Sequence, residues 1–186
     1  KVRVTIIISS INDQNPVAVN ETITLDEGGT ADILDKGNNS VLDNDTVPED
    51  DSQLTASLLT DVSHGTLTLS SDGTFEYNHD DSENFSDSFS YVLIDGVGGA
   101  DLKDTGYVTI TVNPLNDNTP VAVDDSINVD EDGQALLLVG GASSVLDNDT
   151  DADITDSLAA VLVDLPVHGT VTLDSNGTFV YTHDGT

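Results

Sequence analysis

Short runs of alternating residues mark this chain. In Tyr107–Val112, Val108, Ile110 and Val112 alternate with Thr109 and Thr111, the period of a strand with one buried face. TLTL (Thr66–Leu69), TFEY (Thr74–Tyr77) and SFSYVLI (Ser88–Ile94) alternate in the same way. Ser71-Asp72-Gly73 and Ser175-Asn176-Gly177 separate such runs. Asp-Gly and Asn-Gly supply the positive φ that tight hairpin turns require. No apolar stripe at helical spacing is long enough for a stable helix. About seven short strands in roughly 100 residues predict an antiparallel Ig-like sandwich. The Cys and Trp that mark antibody domains are absent.

The pattern then repeats. NDQNPVAV (Asn12–Val19) returns as NDNTPVAV (Asn116–Val123), and SVLDNDT (Ser40–Thr46) returns at Ser144–Thr150. HGTLTLSSDGTFEYNHD (His64–Asp80) returns as HGTVTLDSNGTFVYTHD (His168–Asp184), always at an offset of 104. From Ile11 to Ser82, 35 of 72 positions match their partners. A fixed period of this length exceeds a solenoid unit and implies an array of domains, each with its own core. The frame assigns 1–10 to the last strand of a preceding repeat, 11–114 to a complete repeat, and 115–186 to a second repeat truncated before its final strands. Lys1 corresponds to Thr105, and DSFSYVLID (Asp87–Asp95) has no counterpart after Thr186. Val2, Val4, Ile6 and Ile8 share one face of the orphan strand. Val2–Ile8 is therefore expected to pair, with the end of the second domain in a neighbouring molecule or with upstream chain.

Charge changes the picture. Of 186 residues, 35 are acidic and four are basic: Lys1, Arg3, Lys36 and Lys103. The formal net charge is −31, and no Lys or Arg follows Lys103. Internal ion pairs cannot neutralise such a surface, so solvent or bound cations must. Nucleic acid and anionic membranes are poor partners for it, and no apolar run reaches the ~20 residues of a span, which argues against membrane insertion. With no cysteine to staple the fold, bound metal is the natural substitute in a small secreted module.

The densest acidic stretch is VLDNDTDADITDSL (Val145–Leu158), which holds Asp147, Asp149, Asp151, Asp153 and Asp156. Oxygen-only clusters suit hard cations such as Ca²⁺. An EF-hand frame fails, because from Asp149 its positions 6 and 12 are Ile154 and Ala160. Tandem GGxGxD repeats are also missing; GVGGAD (Gly96–Asp101) occurs once. His64, His79, His168 and His183 recur with the frame at turns and strand ends. Without Cys or an HExxH motif they make a poor zinc set.

A third pattern fits. NDNTP (Asn116–Pro120) resembles the D-x-N-D-N-x-P linker of cadherin repeats, and LDEGG (Leu25–Gly29) with VDEDG (Val129–Gly133) resembles their early Glu motif. DTDAD (Asp149–Asp153) resembles their D-x-D loop, and HDDSE (His79–Glu83) sits where they carry an acidic D-R-E. The chain more closely resembles bacterial cadherin-like, tandem-95 and VCBS-type Ig-like repeats of large secreted adhesins. The resemblance implies tandem seven-strand Greek-key sandwiches with calcium at the linkers between domains. Its ligands would be Glu27, Asp80 and Asp81 from the first domain, Asn116, Asp117 and Asn118 from the linker, and Asp149, Asp151 and Asp153 from the second domain. Asn12, Asp13, Asp45 and Glu49 would serve the upstream linker in the same way. That site departs from the pattern, with Gln14 in NDQNP and Val47 and Glu49 in place of the D-x-D pair. It is expected to be weaker, shifted or short of an ion.

No G-x-S-x-G or Gly-rich phosphate loop is present, and the carboxylate pairs lie in polar loops, so an enzyme is not expected. The resemblance implies calcium-rigidified extender repeats of a bacterial cell-surface adhesin or extracellular filament. The partners would be neighbouring repeats or identical subunits joined by strand pairing. A polysaccharide-binding or homophilic module is the alternative; only four Tyr and four Phe occur, mostly at core-like positions, which favours the spacer.

Overall fold

The computed structural model describes residues 2–7, 12–48, 53–96 and 102–186. Glu49 and Ile8 lie outside the described residues. Two compact units divide the chain, Lys1–Leu115 and Asn116–Thr186. The described residues form strands and no helix, so no helix is long and apolar enough to cross a membrane.

The first unit holds β1 (Glu21–Asp26), β2 (Thr30–Ala31), β3 (Leu54–Thr60), β4 (Gly65–Leu69), β5 (Phe75–His79), β6 (Ser86–Asp95) and β7 (Leu102–Asn113). They make two sheets, ordered β1-β7-β6-β3 and β2-β5-β4. This is an all-β Ig-like sandwich, with one departure from the antiparallel expectation. β1 runs parallel to β7, with Glu21 beside Val108 and Asp26 beside Asn113. Alternation sets the core: Ile23 and Leu25 from β1, Phe75 and Tyr77 from β5, Phe89, Tyr91 and Leu93 from β6, and Val108, Ile110 and Val112 from β7. The hairpin glycines do what their sequence predicts. Gly73 and Gly177 both sit at φ +82°, and an added Cβ would meet the hydroxyl of Ser40 or Ser144 at 2.3 or 2.2 Å.

Tyr91 ties the layers together. Its hydroxyl donates to Val41 O at 3.0 Å and to Asp45 Oδ2 at 3.0 Å. Burial, then the charge of Asp45, pushes this phenol well above its ordinary pKa, so it remains a donor.

The second unit keeps the smaller sheet alone. β8 (Gln134–Ala135), β9 (Thr170–Leu173) and β10 (Phe179–Thr182) pair antiparallel in the order β8-β10-β9. The bridges Val121–Thr150 and Ser144–Thr178 repeat Val17–Thr46 and Ser40–Thr74. At the 104-residue offset the counterparts of β1 and β3 are 125–130 and 158–164, and neither is a strand. In the first unit those two strands hydrogen-bond to β7 and β6 respectively. Chain corresponding to β6 and β7 does not occur between 116 and 186, so the flanking segments have no ladder to join.

The segment expected to pair with a neighbouring molecule or with upstream chain, Val2–Ile8, is described over residues 2–7. Residues 2–7 form no strand, and their apolar side chains are exposed. The matching place in the first sheet is already filled by β7, and a strand without a partner leaves its backbone groups to water.

Gly106 lies in β7 against Tyr91, and a Cβ there would sit 2.3 Å from Tyr91 Cζ. The ring is fully buried and held through its hydroxyl, so it cannot swing aside. Gly106→Ala should destabilise the first unit by about 1–3 kcal/mol through overpacking, measured by urea unfolding. An unchanged midpoint would contradict the packing described.

Candidate metal centre

The first unit gathers acidic groups where β1 ends. Glu27 N donates to Asn113 O at 2.9 Å and Gly29 N to Asp26 O at 2.9 Å, closing a turn in which Gly28 takes φ +64°. Glu27 is only 4% exposed. Its Oε2 accepts from Leu115 N at 3.1 Å, while Oε1 is buried with no hydrogen-bond partner among the described residues. Asp81, itself at φ 65°, packs on the same turn: a Cβ on Gly28 would lie 2.4 Å from Asp81 Oδ1. A buried carboxylate oxygen with no donor is costly. Glu27 thus offers an oxygen that the described residues do not use, with Asp81 packed on its turn.

His79 explains why this turn is fixed. Gly28 N donates to His79 Nδ1 at 3.2 Å, and Nε2 faces Asn84 O at 3.2 Å. The histidine recurs in the sequence because it holds a loop, in keeping with a turn or strand-edge role. Asp80 is turned into its own loop, where Oδ1 accepts from Ser82 N at 3.2 Å and from the Ser82 hydroxyl. The Ser82 hydroxyl, first among the causes, lowers the Asp80 pKa.

Asp87 supports the loop from beneath. Its carboxylate accepts from Ser63 N (3.0 Å), His64 N (2.9 Å) and Ser88 N (2.8 Å), and from the Tyr77 hydroxyl (3.1 Å). His64 O in turn accepts from Asp80 N at 3.3 Å. Burial alone would raise the Asp87 pKa, but these donors outweigh it and hold the group below its usual range.

In the second unit the DTDAD loop folds onto the NDN segment. Asp151, Asp153 and Asp156 each place a carboxylate oxygen within 4.8 Å of the others. Asp153 is 2% exposed. It accepts from Asn118 N at 2.9 Å and Asn118 Nδ2 at 3.1 Å, and its own N–H donates to Asp151 Oδ1 at 3.1 Å. The Asn116 amide donates to Asp156, and Asn118 Nδ2 also donates to Asp117 Oδ1 at 3.2 Å. A hollow of about 280 Å³ opens beside the cluster, lined in part by Asn116, Asn118, Asp149, Asp151 and Asp156. Three carboxylates crowd together here, one of them buried, and the donors seen on them are neutral amides. Like charges this close repel one another, and a bound cation would offset that repulsion. The all-oxygen donor set fits a hard divalent ion such as calcium.

The structure sorts the residues expected from sequence. It brings Asn116, Asn118, Asp151 and Asp153 together, sets exposed Asp117 beside them, and adds Asp156. Asp156 was visible only as the fifth acid of the stretch, outside the DTDAD motif. Asp149 and Asp45 each accept a backbone N–H group. Asp149 Oδ1 accepts from Val123 N at 2.7 Å, and Asp45 Oδ1 accepts from Val19 N at 2.7 Å while Oδ2 accepts from Tyr91. These equivalent aspartates tie the entering chain to the sandwich. Burial, above all, raises the Asp45 pKa. In the first unit Asn12 is half-buried and Asp13 exposed, before the Val17–Thr46 bridge.

Two outcomes follow. Asp156→Asn should weaken calcium binding while leaving the calcium-free melt nearly unchanged, whereas Asp149→Asn should lower the calcium-free melt. Calorimetric titration with thermal melts in EDTA separates the two; the reverse assignment would refute these roles. For Asp87 the folded pKa lies below the unfolded value of about 3.9, so its stabilisation is present above that pH and is lost as pH falls through the folded pKa. The stability gap between the wild type and Asp87→Asn should be about 1–3 kcal/mol at pH 7 and should shrink in acid below about pH 4. Urea unfolding at several pH values checks this, and a gap that widens in acid would contradict it.

Comparison with known proteins agrees with this architecture. Among curated proteins, the chain is 31% identical to Extracellular matrix protein 3 of Lytechinus variegatus, over 81% of this chain and 5% of that protein. It is 33% identical to the human Extracellular matrix organizing protein FRAS1, over 55% of this chain and 2% of that protein. The chain thus spans only a small part of these relatives. Among solved structures, the crystal structure of human CDH23 EC21-23 matches with a TM-score of 0.54 at 18% identity, covering 95% of this chain and 56% of that one; this likeness shows the fold. Residues 116–186 match the bacterial Ig domain model. Residues 13–114 match the bacterial cadherin-like domain model, and the chain belongs to that family.

Proposed function

We propose that this chain is a stretch of extender repeats from an extracellular adhesin or filament, stiffened by calcium taken up at its linkers and acidic loops. The observation that carries the reading is the Asp151–Asp153–Asp156 cluster, with Asp153 buried among like charges. Glu27, with one buried and unpartnered oxygen, and Asp81 beside it supply the corresponding groups of the first unit. Asn116, Asp117 and Asn118 complete the second set.

Calcium would supply the positive charge that a chain of net charge −31 lacks. The protein's own part is to converge its carboxylates and to hold them there: Asn118 clamps Asp153, and His79 fixes the turn that carries Glu27. Without the ion, self-repulsion loosens these loops. With it, each repeat becomes a stiff link that holds a distal binding domain away from the cell. The names of the two extracellular matrix relatives support an extracellular location. The acidic surface and the cadherin-like family support an adhesive array on a bacterial cell.

An ion that binds only the folded state stabilises by mass action, by about 2.7 kcal/mol at 100 times its dissociation constant. Extracellular calcium modules bind near ~10⁻⁴–10⁻³ M. Millimolar calcium should therefore raise the melting temperature over that in EDTA, and the combined Asp151→Asn and Asp153→Asn variant should lose most of the second unit's share. Identical melts in calcium and EDTA would overturn the proposal.

A further inference from the structure

We propose that the outward face of the second unit's sheet is a docking site for a partner protein segment that presents an aliphatic anchor beside Lys or Arg. The face is the side of β8-β10-β9 turned away from the core. Phe179 is buried, and its neighbour Val180, paired with Thr172 of β9, points the other way by strand alternation. A hollow of about 350 Å³ opens there, lined in part by Leu136, Leu137, Thr172, Asp174, Thr178 and Val180. Leu136 and Leu137 are 51% and 53% exposed, and Val139, on the same segment, is 57% exposed.

The internal repeat supplies the reference. At the 104-residue offset, Leu136, Val139, Gly140 and Val180 stand where the first unit has Asp32, Asp35, Lys36 and Glu76. Those four side chains are exposed in the first unit, in which both sheets are present. The positions therefore face solvent in a sandwich with two sheets, and the exposure of their apolar replacements belongs to the face itself. Four charged positions have become uncharged together, three of them aliphatic. The core beneath does not call for the change, because Leu34, Phe75 and Tyr77 are kept as Leu138, Phe179 and Tyr181. Single exposed aliphatic residues are ordinary, but a patch that replaces charge around one hollow marks a contact surface.

Charge selects the occupant. One position changes in the opposite sense: Asp174 replaces Ser70. Val180 is half-buried and Asp174 is exposed, so the hollow has an apolar floor and an acidic rim. Around it, residues 116–186 carry 14 acidic residues and no Lys or Arg. A second copy of this chain brings its own net charge of −31 and is repelled. An aliphatic anchor flanked by cations satisfies both parts of the face. The anchor covers Leu136, Leu137 and Val180 and removes them from water, while Lys or Arg meets Asp174 and is drawn in by the acidic surroundings.

Fluorescence anisotropy of a labelled Lys-Leu-Lys-Leu-Lys peptide, titrated with the 186-residue chain at physiological ionic strength, tests the inference. A labelled Lys-Ser-Lys-Ser-Lys peptide controls for charge alone. The wild type should bind the first peptide about tenfold more tightly than the second. The triple variant Leu136→Asp, Val139→Asp, Val180→Glu restores the residues of the first repeat. It adds negative charge, so a purely electrostatic contact would tighten, whereas docking in the hollow should weaken by about tenfold. The first unit carries acids at these positions and is folded, so the variant should melt like the wild type. Amide chemical shifts of the wild type give a reading that no variant's folding can disturb. On addition of the Lys-Leu peptide they should move at 136–137 and 172–180. Equal affinity for the two peptides, tighter binding by the triple variant, or shifts confined to the acidic loop at 147–156 would each overturn the proposal.

Discussion

The ladder between β6 and β7 joins ten residue pairs, from Ser86–Thr111 to Asp95–Leu102. These strands are the two central members of the larger sheet, and they bring Phe89, Tyr91, Leu93, Val108, Ile110 and Val112 to the core. A central strand offers hydrogen bonds on both edges, so β1 and β3 exist as strands only because β7 and β6 stand between them. The second unit makes the dependence visible. Segments 125–130 and 158–164 keep sequences similar to β1 and β3 but form no strand. The smaller sheet, β8-β10-β9, persists because all of its partners lie within 116–186. Strand formation here is a property of neighbours rather than of propensity.

Charge is the second constraint, and it acts at the ends of the sandwiches. The carboxylates fall into two groups by how far they crowd one another. Asp45, Asp87 and Asp149 accept backbone N–H groups and anchor segments of chain. Such carboxylates are satisfied by the protein and hold the fold together at neutral pH. Asp151, Asp153 and Asp156 crowd together, and Glu27 keeps a buried oxygen without a donor among the described residues. The second group supplies the oxygens that the proposed calcium would take, and it lies on the loops that the first group fixes. The two groups meet in shared turns, as where Asp87 holds His64, whose carbonyl receives the Asp80 N–H.

The two groups cannot be told apart along the sequence. Asp149 and Asp151 are two residues apart in one DTDAD motif, yet one binds the Val123 N–H and the other joins the cluster. Their separation comes from the bridge between Val121 and Thr150, which brings Val123 under Asp149 and is formed by chain nearly thirty residues away. Asp156 shows the converse. It sits outside the motif, and a loop returns it to Asp153, with its N–H donating to Asp153 O at 3.0 Å.

The sequence by itself determined the all-β class, the hairpin turns at Gly73 and Gly177, the 104-residue period and the acidic oxygen chemistry of the loops. Each of these is local or additive: alternation, turn residues, repetition and net charge are read from neighbouring letters or from sums. The tertiary structure alone decided that β1 runs parallel to β7, that Asp45 and Asp149 anchor chain, and that Asp156 completes a cluster. These depend on which distant segments meet, and a hydrogen-bond ladder or a converging set of carboxylates exists only once both sides are in place.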